Sequence, residues 1–129
     1  MDVVGLFEGL TRVKTVLETV EINRVERLIR RFPRVVERLF SPDEIRYCWT
    51  QKRFPFQHFA ARFAAKCAIR RALGGGSLSD ICILREASGT VSVDLYGHAR
   101  QLAHGRTIFM SLSHEGNLSA ALIAIESSE

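Results

Sequence analysis

Residues 56–73 read FQHFAARFAAKCAIRRAL and continue into a run of three glycines, residues 74–76. Four side chains recur in this stretch at helical spacing, which predicts a helix with one apolar side: Phe56, Phe59, Phe63 and Cys67. A basic stripe recurs every fourth residue beside them: Arg62, Lys66 and Arg70. The glycines should end this helix, because glycine readily adopts the left-handed backbone of a helix C-cap.

The segments on either side of this helix predict an α+β chain. The β-branched stretch 13–20 predicts a strand, and helices are expected over 21–31 and 41–51. Ser41 followed by Pro42 is typical of a helix start. Beyond the glycines we expect strands over 80–84 and 90–94, a helix near 96–104, and paired strands over 107–113 and 118–125. The predicted order is β-α-α-α-β-β-α-β-β.

Length and composition indicate a single domain, residues 1–129, with an ordinary 47% of hydrophobic and 25% of charged residues. No apolar run approaches the roughly 20 residues of a membrane span. The first residues include Asp2 and Glu8 and do not resemble a secretory signal. The chain has three cysteines and no C-x-x-C pair, so a disulfide framework is not expected. We therefore expect a cytoplasmic protein without a membrane partner.

Charge is distributed unevenly along the chain. Residues 1–71 carry 15 basic and 8 acidic residues, whereas residues 72–129 carry 3 and 6. A basic N-terminal half attracts phosphates, nucleic acid or an acidic protein, although the same bias is typical of a solvated helical surface. Nucleic acid is not the expected partner, because no aromatic platform or recognised motif accompanies the arginines.

Each remaining motif is weak when it is considered alone. The three glycines lack the lysine and hydroxyl of a P-loop and are more typical of a C-cap. Ser113 and His114 are neighbours on a predicted strand, so their side chains point to opposite faces and do not form a dyad with each other. The basic stripe suits a polyphosphate but is usually only solvated.

Taken together, these segments resemble the holo-acyl-carrier-protein synthases, a family of phosphopantetheinyl transferases. The central helix carries Arg62-Phe63-Ala64-Ala65-Lys66 and ends in Ala72-Leu73-Gly74, close to the family's R-F-A-A-K-E-A-x-x-K-A-L-G. The resemblance continues in order through V-E-I-x-R-V at 20–25, R-F at 31–32, F-S-P-D-E at 40–44, D-I at 80–81, S-G at 88–89, L-x-G-x-A at 95–99 and L-S-H at 112–114. It covers residues 16–126 and leaves residues 1–15 as an N-terminal extension.

The resemblance implies a fold, a reaction and partners. Family members pack a small antiparallel sheet with a long central helix and assemble as homotrimers with CoA sites between subunits. They use Mg²⁺ to transfer phosphopantetheine from CoA to a serine of an acyl carrier protein, in fatty acid or polyketide biosynthesis. The implied CoA-binding residues are Arg62, Lys66, Arg71, Gly74, Gly75, Gly76 and His114. The residues implied to meet the acidic helix of the carrier protein are Arg24, Arg27 and Arg31.

The implied metal site departs from the family pattern. Glu18 falls on the family's first metal ligand, an aspartate, and is still a hard oxygen ligand. Cys67 replaces the glutamate that is the second ligand, and Mg²⁺ strongly prefers oxygen to sulfur. Arg71 replaces a lysine one turn later; it can bind phosphate but does not readily act as a base. The implied catalytic residues are Glu18, Lys66 and Arg71, with Mg²⁺ binding weakened or lost.

Three interpretations stay open at this point. The first is a transferase that holds Mg²⁺ through Glu18, waters and the CoA pyrophosphate. The second is a module that binds CoA or a carrier protein without transfer. The third is a repurposed enzyme of carrier-protein-dependent biosynthesis, with Cys67 as a reactive thiolate. Cys67 also lines up with Phe59 and Phe63, so it is equally compatible with a packing role.

Overall fold

The computed structural model describes residues 12–85 and 88–126. The strands and α-helices in these residues are, in chain order, β1 (Val13–Glu21), α1 (Ile22–Arg31), α2 (Val35–Leu39), α3 (Pro42–Thr50), α4 (Pro55–Leu73), β2 (Ile81–Arg85), β3 (Val91–Leu95), α5 (Gly97–Ala103), β4 (Ile108–Glu115) and β5 (Leu118–Glu126). A short 3₁₀ turn, Leu78–Asp80, precedes β2. No helix in these residues is long and apolar enough to cross a membrane.

Strands β1, β5 and β4 form an antiparallel sheet in that order, and β2 pairs with β3 in a separate antiparallel sheet. In the three-stranded sheet, Glu18 lies opposite Ala121, and Ile123 lies between Val16 and Met110. Because side chains alternate along a strand, these residues share the face that packs on α4. The packing face of α4 consists largely of buried alanines, which lets the helix approach the sheet closely: Ala64, Ala65, Ala68 and Ala72.

Helix α3 begins with a capping box that connects it to the rest of the fold. The Glu44 backbone N–H donates to Ser41 Oγ at 3.2 Å, and the Ser41 backbone N–H donates to Glu44 Oε1 at 2.8 Å. The other Glu44 oxygen accepts the Ile83 backbone N–H of β2 at 3.0 Å. A second apolar cluster joins α1, α2, α3 and α4, and includes Val25, Ile29, Val36, Cys48 and Phe59.

The predicted α+β class is confirmed, and every predicted element occurs, in the predicted relative order and with boundaries that agree within two residues. Helix α2 was not predicted, because five residues are too few to show a helical period. The strands divide into two sheets, and this division was also missed because pairing depends on contacts between distant residues. Within the predicted extension 1–15, strand β1 already begins at Val13, and residues 1–11 lie outside the described residues.

The face of the three-stranded sheet that points away from α4 carries a group of exposed apolar side chains. Leu17 pairs with Leu122 across β1 and β5, and their side chains are 60% and 47% exposed. Phe109 on β4 is 65% exposed and lies opposite Ala124 of the same face. Val13 and Leu118 extend this apolar face towards the strand ends. Contiguous exposed apolar surface of this kind is typical of a protein–protein interface.

Candidate functional site

Two of the three implied catalytic residues, Glu18 and Arg71, meet Cys67 at a cavity of about 580 Å³ beside the C-terminal end of α4. Strand β1 contributes one lining residue, Glu18, and the others come from α4 and the glycines after it: Cys67, Arg70, Arg71, Gly74 and Gly75. Arg71 Nη1 lies 2.7 Å from Glu18 Oε1, and the two side chains are 65% and 22% exposed. The fold therefore brings Glu18, Cys67 and Arg71 together, although they are distant in sequence.

This cavity does not fit a Mg²⁺ ion that the protein itself would hold. Glu18 is already paired with Arg71, and Cys67 offers sulfur, a soft ligand that Mg²⁺ disfavours. Residues 12–85 and 88–126 contain no group of three or more His, Cys, Asp or Glu side chains that could hold a metal ion. We therefore derive no catalytic step through a metal bound to these residues.

Electrostatics also oppose a divalent cation beside this pair. Given the 2.7 Å contact and Mg²⁺–oxygen distances of about 2.1 Å, a cation on the Glu18 carboxylate would lie within about 7 Å of Arg71 Nη1. At that separation the repulsion between a divalent cation and the Arg71 guanidinium is about 1 kcal/mol at an effective dielectric constant of about 80, and about 5 kcal/mol at about 20. The Arg71 guanidinium thus competes with any metal for the carboxylate.

The chemistry of Cys67 follows from its surroundings. Its side chain is half-buried, and burial raises the pKa of the thiol; the Glu18 carboxylate raises it further. Arg70 and Arg71 act in the opposite direction but more weakly. The thiol therefore stays protonated at neutral pH, which makes it neither a good metal ligand nor an activated nucleophile.

A second cavity, of about 140 Å³, lies at the N-terminal half of α4 and contains Arg62 and His114. Arg62 is 1% exposed, and its Cζ atom lies 4.3 Å from the centroid of the Tyr47 ring. Its Nη1 donates a long hydrogen bond of 3.5 Å to the His58 carbonyl, whereas Nε and Nη2 have no partner within residues 12–85 and 88–126. Buried charged donors without partners are costly, so this guanidinium is suited to bind an anion.

The walls of this second cavity add further positive or ionisable groups. Arg85 of β2 and His58 of α4 both line it. The pKa of His58 lies below its ordinary value, first because of burial and then because Arg62, Arg85 and His114 repel a second proton. His58 is therefore neutral at pH 7 and would gain a proton more readily once an anion enters the cavity.

Lys66, implied by the resemblance to act in CoA binding and catalysis, lies in neither cavity. Its Nζ is 2.6 Å from Glu44 Oε1, and both side chains are fully buried. The same Nζ donates to the carbonyls of Leu78 and Ile81, so three protein oxygens surround the ammonium. Lys66 is thus placed in the core, where it holds α4 against α3 and the start of β2, and its fully buried ammonium does not face either cavity.

The two cavities open on opposite sides of α4. Arg62 and Arg71 are nine residues apart, which corresponds to two and a half helical turns, so their side chains leave the helix in opposite directions. The residues implied to bind CoA are therefore not gathered into one site within a single chain.

The glycines after α4 have different local roles. Gly74 has φ +81° and forms the helix C-cap, as predicted, and a side chain there would meet no atom within 4 Å. Gly76 has φ +99°, and a Cβ on it would lie 3.0 Å from the Cβ of Ala99 on α5. Gly74 and Gly75 line the cavity of Glu18 and Arg71, whereas Gly76 is needed for close packing.

Helix α1 carries its implied partner-binding arginines on an exposed face. Arg24, Arg27 and Arg31 are all exposed, and none forms an ion pair with a described residue. Exposed apolar side chains lie among them, Leu28 at 37% and Phe32 at 54%. Arg24 and Leu28 also line a groove of about 500 Å³ between α1, β1 and Phe63 of α4.

Sequence reasoning missed several contributors to these sites. His58 lies four residues before Arg62 on α4, so helical spacing could have identified it as a neighbour. Glu44 follows Ser41 at capping-box spacing, but its second role as the partner of Lys66 has no local signal. Tyr47 and Arg85 reach Arg62 only through the packing of α3 and β2 on α4.

An α+β domain with two basic cavities on one helix has the features of a protein that binds a phosphorylated ligand. The family model of the 4'-phosphopantetheinyl transferase superfamily matches residues 18–121. The chain therefore belongs to the 4'-phosphopantetheinyl transferase superfamily.

Known proteins of this superfamily are similar over most of the chain. The holo-[acyl-carrier-protein] synthase of Moorella thermoacetica is 44% identical over 119 residues, covering 87% of this chain and 92% of that protein. The crystal structure of the Plasmodium yoelii holo-ACP-synthase has a TM-score of 0.76 at 27% identity and covers 89% of this chain and 94% of its own. The Helicobacter pylori synthase in complex with coenzyme A has a TM-score of 0.76 at 25% identity, covering 88% of this chain and 100% of its own.

Proposed function

We propose that this protein is an enzyme that transfers phosphopantetheine from CoA to a serine of an acyl carrier protein. The observation that carries the proposal is the buried guanidinium of Arg62, whose Nε and Nη2 have no partner within the described residues and which shares a cavity with His114. A phosphate group of CoA would supply the missing acceptors. The printed names of the relatives, and the coenzyme A in the Helicobacter pylori structure, support this choice of ligand.

The proposed reaction consists of a phosphoryl transfer and a proton transfer, and side chains of this protein can assist both. The serine oxygen forms a bond to the phosphorus next to pantetheine, and the bond from that phosphorus to the bridging oxygen breaks. Adenosine bisphosphate leaves with the bridging oxygen, and the serine proton passes to a base or to water. Arg62 and Arg71 can neutralise phosphates, and Glu18 can accept the proton on the carboxylate oxygen that does not contact Arg71.

Any Mg²⁺ in this reaction would be held by the phosphates of CoA and by water, and not by side chains of this protein. This ion commonly keeps several waters and binds substrate phosphates. Because Glu18 is paired with Arg71, this protein should bind Mg²⁺ more weakly than the family pattern implies.

We also propose that the complete CoA site forms between subunits of a homotrimer. The cavities of Arg62 and Arg71 face opposite sides of α4, so one CoA molecule can use both only if two protomers each contribute one. The exposed apolar sheet face, centred on Leu17 and Leu122, supports association, because burying it removes apolar surface from water.

Light scattering tests this assembly. We expect the mass of three 14.5 kDa chains, and we expect Leu122→Lys to yield smaller species with weakened CoA binding. Arg100→Lys, on the exposed side of α5, serves as the surface control. A stable wild-type monomer that still binds CoA would exclude the shared site.

For the partner surface, we propose that Arg24, Arg27 and Arg31 contact the acidic helix of the carrier protein. Their charges, which form no ion pair with a described residue, and the nearby Leu28 and Phe32 form a mixed basic and apolar surface. Arg24→Glu should slow association and reduce its salt dependence, because rim charges act mainly on association rate.

Arg100→Glu makes the same change of charge on α5 and should have a much smaller effect on carrier-protein binding. If both variants bind the carrier protein equally well across a salt series, α1 is not the docking helix. CoA affinity, measured on the same samples, shows whether the fold is intact.

The decisive experiment is a transfer assay with CoA and a purified apo carrier protein, followed by mass spectrometry. We expect the carrier protein to gain one phosphopantetheine group, and no gain when its acceptor serine is replaced by alanine. Binding of CoA and carrier protein without transfer would favour the non-transferring module. We further propose a cytoplasmic location and a single domain over residues 16–126 that follows an extension, residues 1–15.

A further inference from the structure

We propose that the Glu18–Arg71 pair takes the place of a protein-bound divalent cation, with Arg71 supplying the positive charge that faces the pyrophosphate of CoA. The inference rests on the proposed function, since it concerns the same cavity. It follows from a disagreement: the family resemblance implies a metal ligand at Glu18, but the structure joins that carboxylate to a guanidinium at 2.7 Å.

The geometry of the pair leaves Arg71 available to a ligand. Its side chain is 65% exposed, and the contact to Glu18 uses one nitrogen, Nη1. Within residues 12–85 and 88–126, Arg71 makes no other side-chain hydrogen bond. Guanidinium carries five N–H donors in a fixed fork, so the remaining donors can bind two phosphate oxygens without breaking the pair.

Glu18 is better held than its partner. It lies within β1, opposite Ala121 of the central strand β5, and is only 22% exposed. A carboxylate in this position can restrain a long and mobile arginine side chain and direct it towards the cavity. Glu18 therefore acts as a positioning residue for Arg71.

The charge of the cavity lining agrees with an anion site that needs no protein-bound metal. Two guanidinium groups, Arg70 and Arg71, face one carboxylate, Glu18. A second carboxylate at position 67 would make the charge of the lining neutral. With Cys67 there, the lining already carries a net positive charge.

The first test compares CoA binding by calorimetry in EDTA and in excess Mg²⁺. Wild-type affinity should agree within about twofold between the two buffers, because the protein's own charge neutralises the pyrophosphate. Arg71→Ala should weaken binding by about 10- to 100-fold in both buffers. Arg70→Ala removes the same charge from the same cavity without breaking an ion pair and should weaken it by less than about fivefold.

Glu18→Gln gives the sharpest contrast between the two explanations. If Glu18 positions Arg71 and binds no metal, the amide introduced by this change still accepts a hydrogen bond from Arg71. Loss of the negative charge next to a phosphate site should then leave CoA affinity in EDTA unchanged or higher. If Glu18 is a metal ligand, the same change should remove the gain in CoA affinity that Mg²⁺ provides. A Mg²⁺-dependent gain of about tenfold or more in the wild type, lost in Glu18→Gln, would overturn the inference.

The second test titrates Mn²⁺ alone into the free protein and follows it by electron paramagnetic resonance. Wild type should not bind Mn²⁺ at Glu18, whereas Cys67→Glu combined with Arg71→Lys should gain a site, because it restores two carboxylates and removes the fixed guanidinium fork. Circular dichroism confirms that the double variant is folded. Wild-type Mn²⁺ binding that Glu18→Gln abolishes contradicts the inference.

The two tests separate this inference from the proposed function. If wild type binds no CoA in either buffer, the proposed function fails, and the Mn²⁺ titration alone then decides whether the protein holds a metal at Glu18. If CoA binds equally in both buffers but no carrier protein is modified, the inference of a site without a protein-bound metal is supported and the proposed transfer activity is wrong.

Discussion

Helix α4 carries two acid–base pairs with nearly the same separation but very different surroundings. Lys66 Nζ lies 2.6 Å from Glu44, and both side chains are 0% exposed. Arg71 Nη1 lies 2.7 Å from Glu18, with exposures of 65% and 22%. Three protein oxygens surround the Lys66 ammonium, whereas most donors of the Arg71 guanidinium are not engaged by described residues.

Burial, rather than distance, separates a structural pair from a ligand-binding one. Neither charge of the Lys66–Glu44 pair can lose its partner without leaving a buried charge, so this pair fixes the packing of α3 on α4. The Glu18–Arg71 pair is partly solvated, and such pairs contribute little to stability. Arg71 can therefore bind an anionic ligand with little loss of folding stability, as a residue of a ligand-binding site must.

The largest effect should come from Lys66→Met. We expect the free energy of unfolding to fall by about 3–5 kcal/mol, because the Glu44 carboxylate is left buried without its cation. Urea denaturation followed by circular dichroism measures the loss. A double variant with Glu44→Gln should regain part of it, since no buried charge remains. A loss below about 1 kcal/mol for the single variant would remove the contrast between the two pairs.

In contrast to Lys66→Met, Arg62→Met should weaken CoA binding and leave the free energy of unfolding nearly unchanged. Because Nε and Nη2 of Arg62 have no partner among the described residues, its removal should change the free energy of unfolding by less than about 1 kcal/mol. CoA binding should weaken by about 10- to 100-fold, the value of losing hydrogen bonds to a charged group. Calorimetry with CoA checks this; unchanged affinity would show that Arg62 does not contact the ligand.

Arg71→Met should have little effect on stability. The free energy of unfolding should change by no more than about 1 kcal/mol, because the Glu18–Arg71 pair is partly exposed and screened by solvent. Urea denaturation under the conditions used for Lys66→Met provides the direct comparison. A loss as large as that of Lys66→Met would mean that the pair supports the fold instead of a ligand.

The smallest predicted effect is a pH dependence from His58. Its folded-state pKa lies below the ordinary value of 6.5, so the unfolded chain binds more protons as the pH falls through this value. The free energy of unfolding should therefore decrease between about pH 7 and about pH 5, and His58→Gln should show a shallower decrease. Inorganic phosphate should reduce the slope in wild type, because an anion near His58 raises its pKa. Equal slopes for wild type and variant would exclude His58 as the titrating group.

Local sequence signals were sufficient for the elements that depend on neighbouring residues. The spacing of Phe59, Phe63 and Cys67 predicted α4, and Gly74 predicted its end, because helical period and the left-handed C-cap are properties of a few consecutive residues. Ser41 predicted the start of α3 for the same reason. The order of motifs along the chain then supported the superfamily, which the family model confirms.

The roles of the charged residues required contacts between distant parts of the chain. In sequence, Lys66 belongs to the same basic stripe as Arg62, and no local pattern indicates that Glu44 on α3 neutralises it in the core. Glu18 and Arg71 are 53 positions apart, and they meet because β1 pairs with β5 and both pack on α4. Ion pairing and burial arise from this tertiary packing. The family resemblance therefore implied a metal ligand at Glu18, whereas the packing pairs that carboxylate with the guanidinium of Arg71.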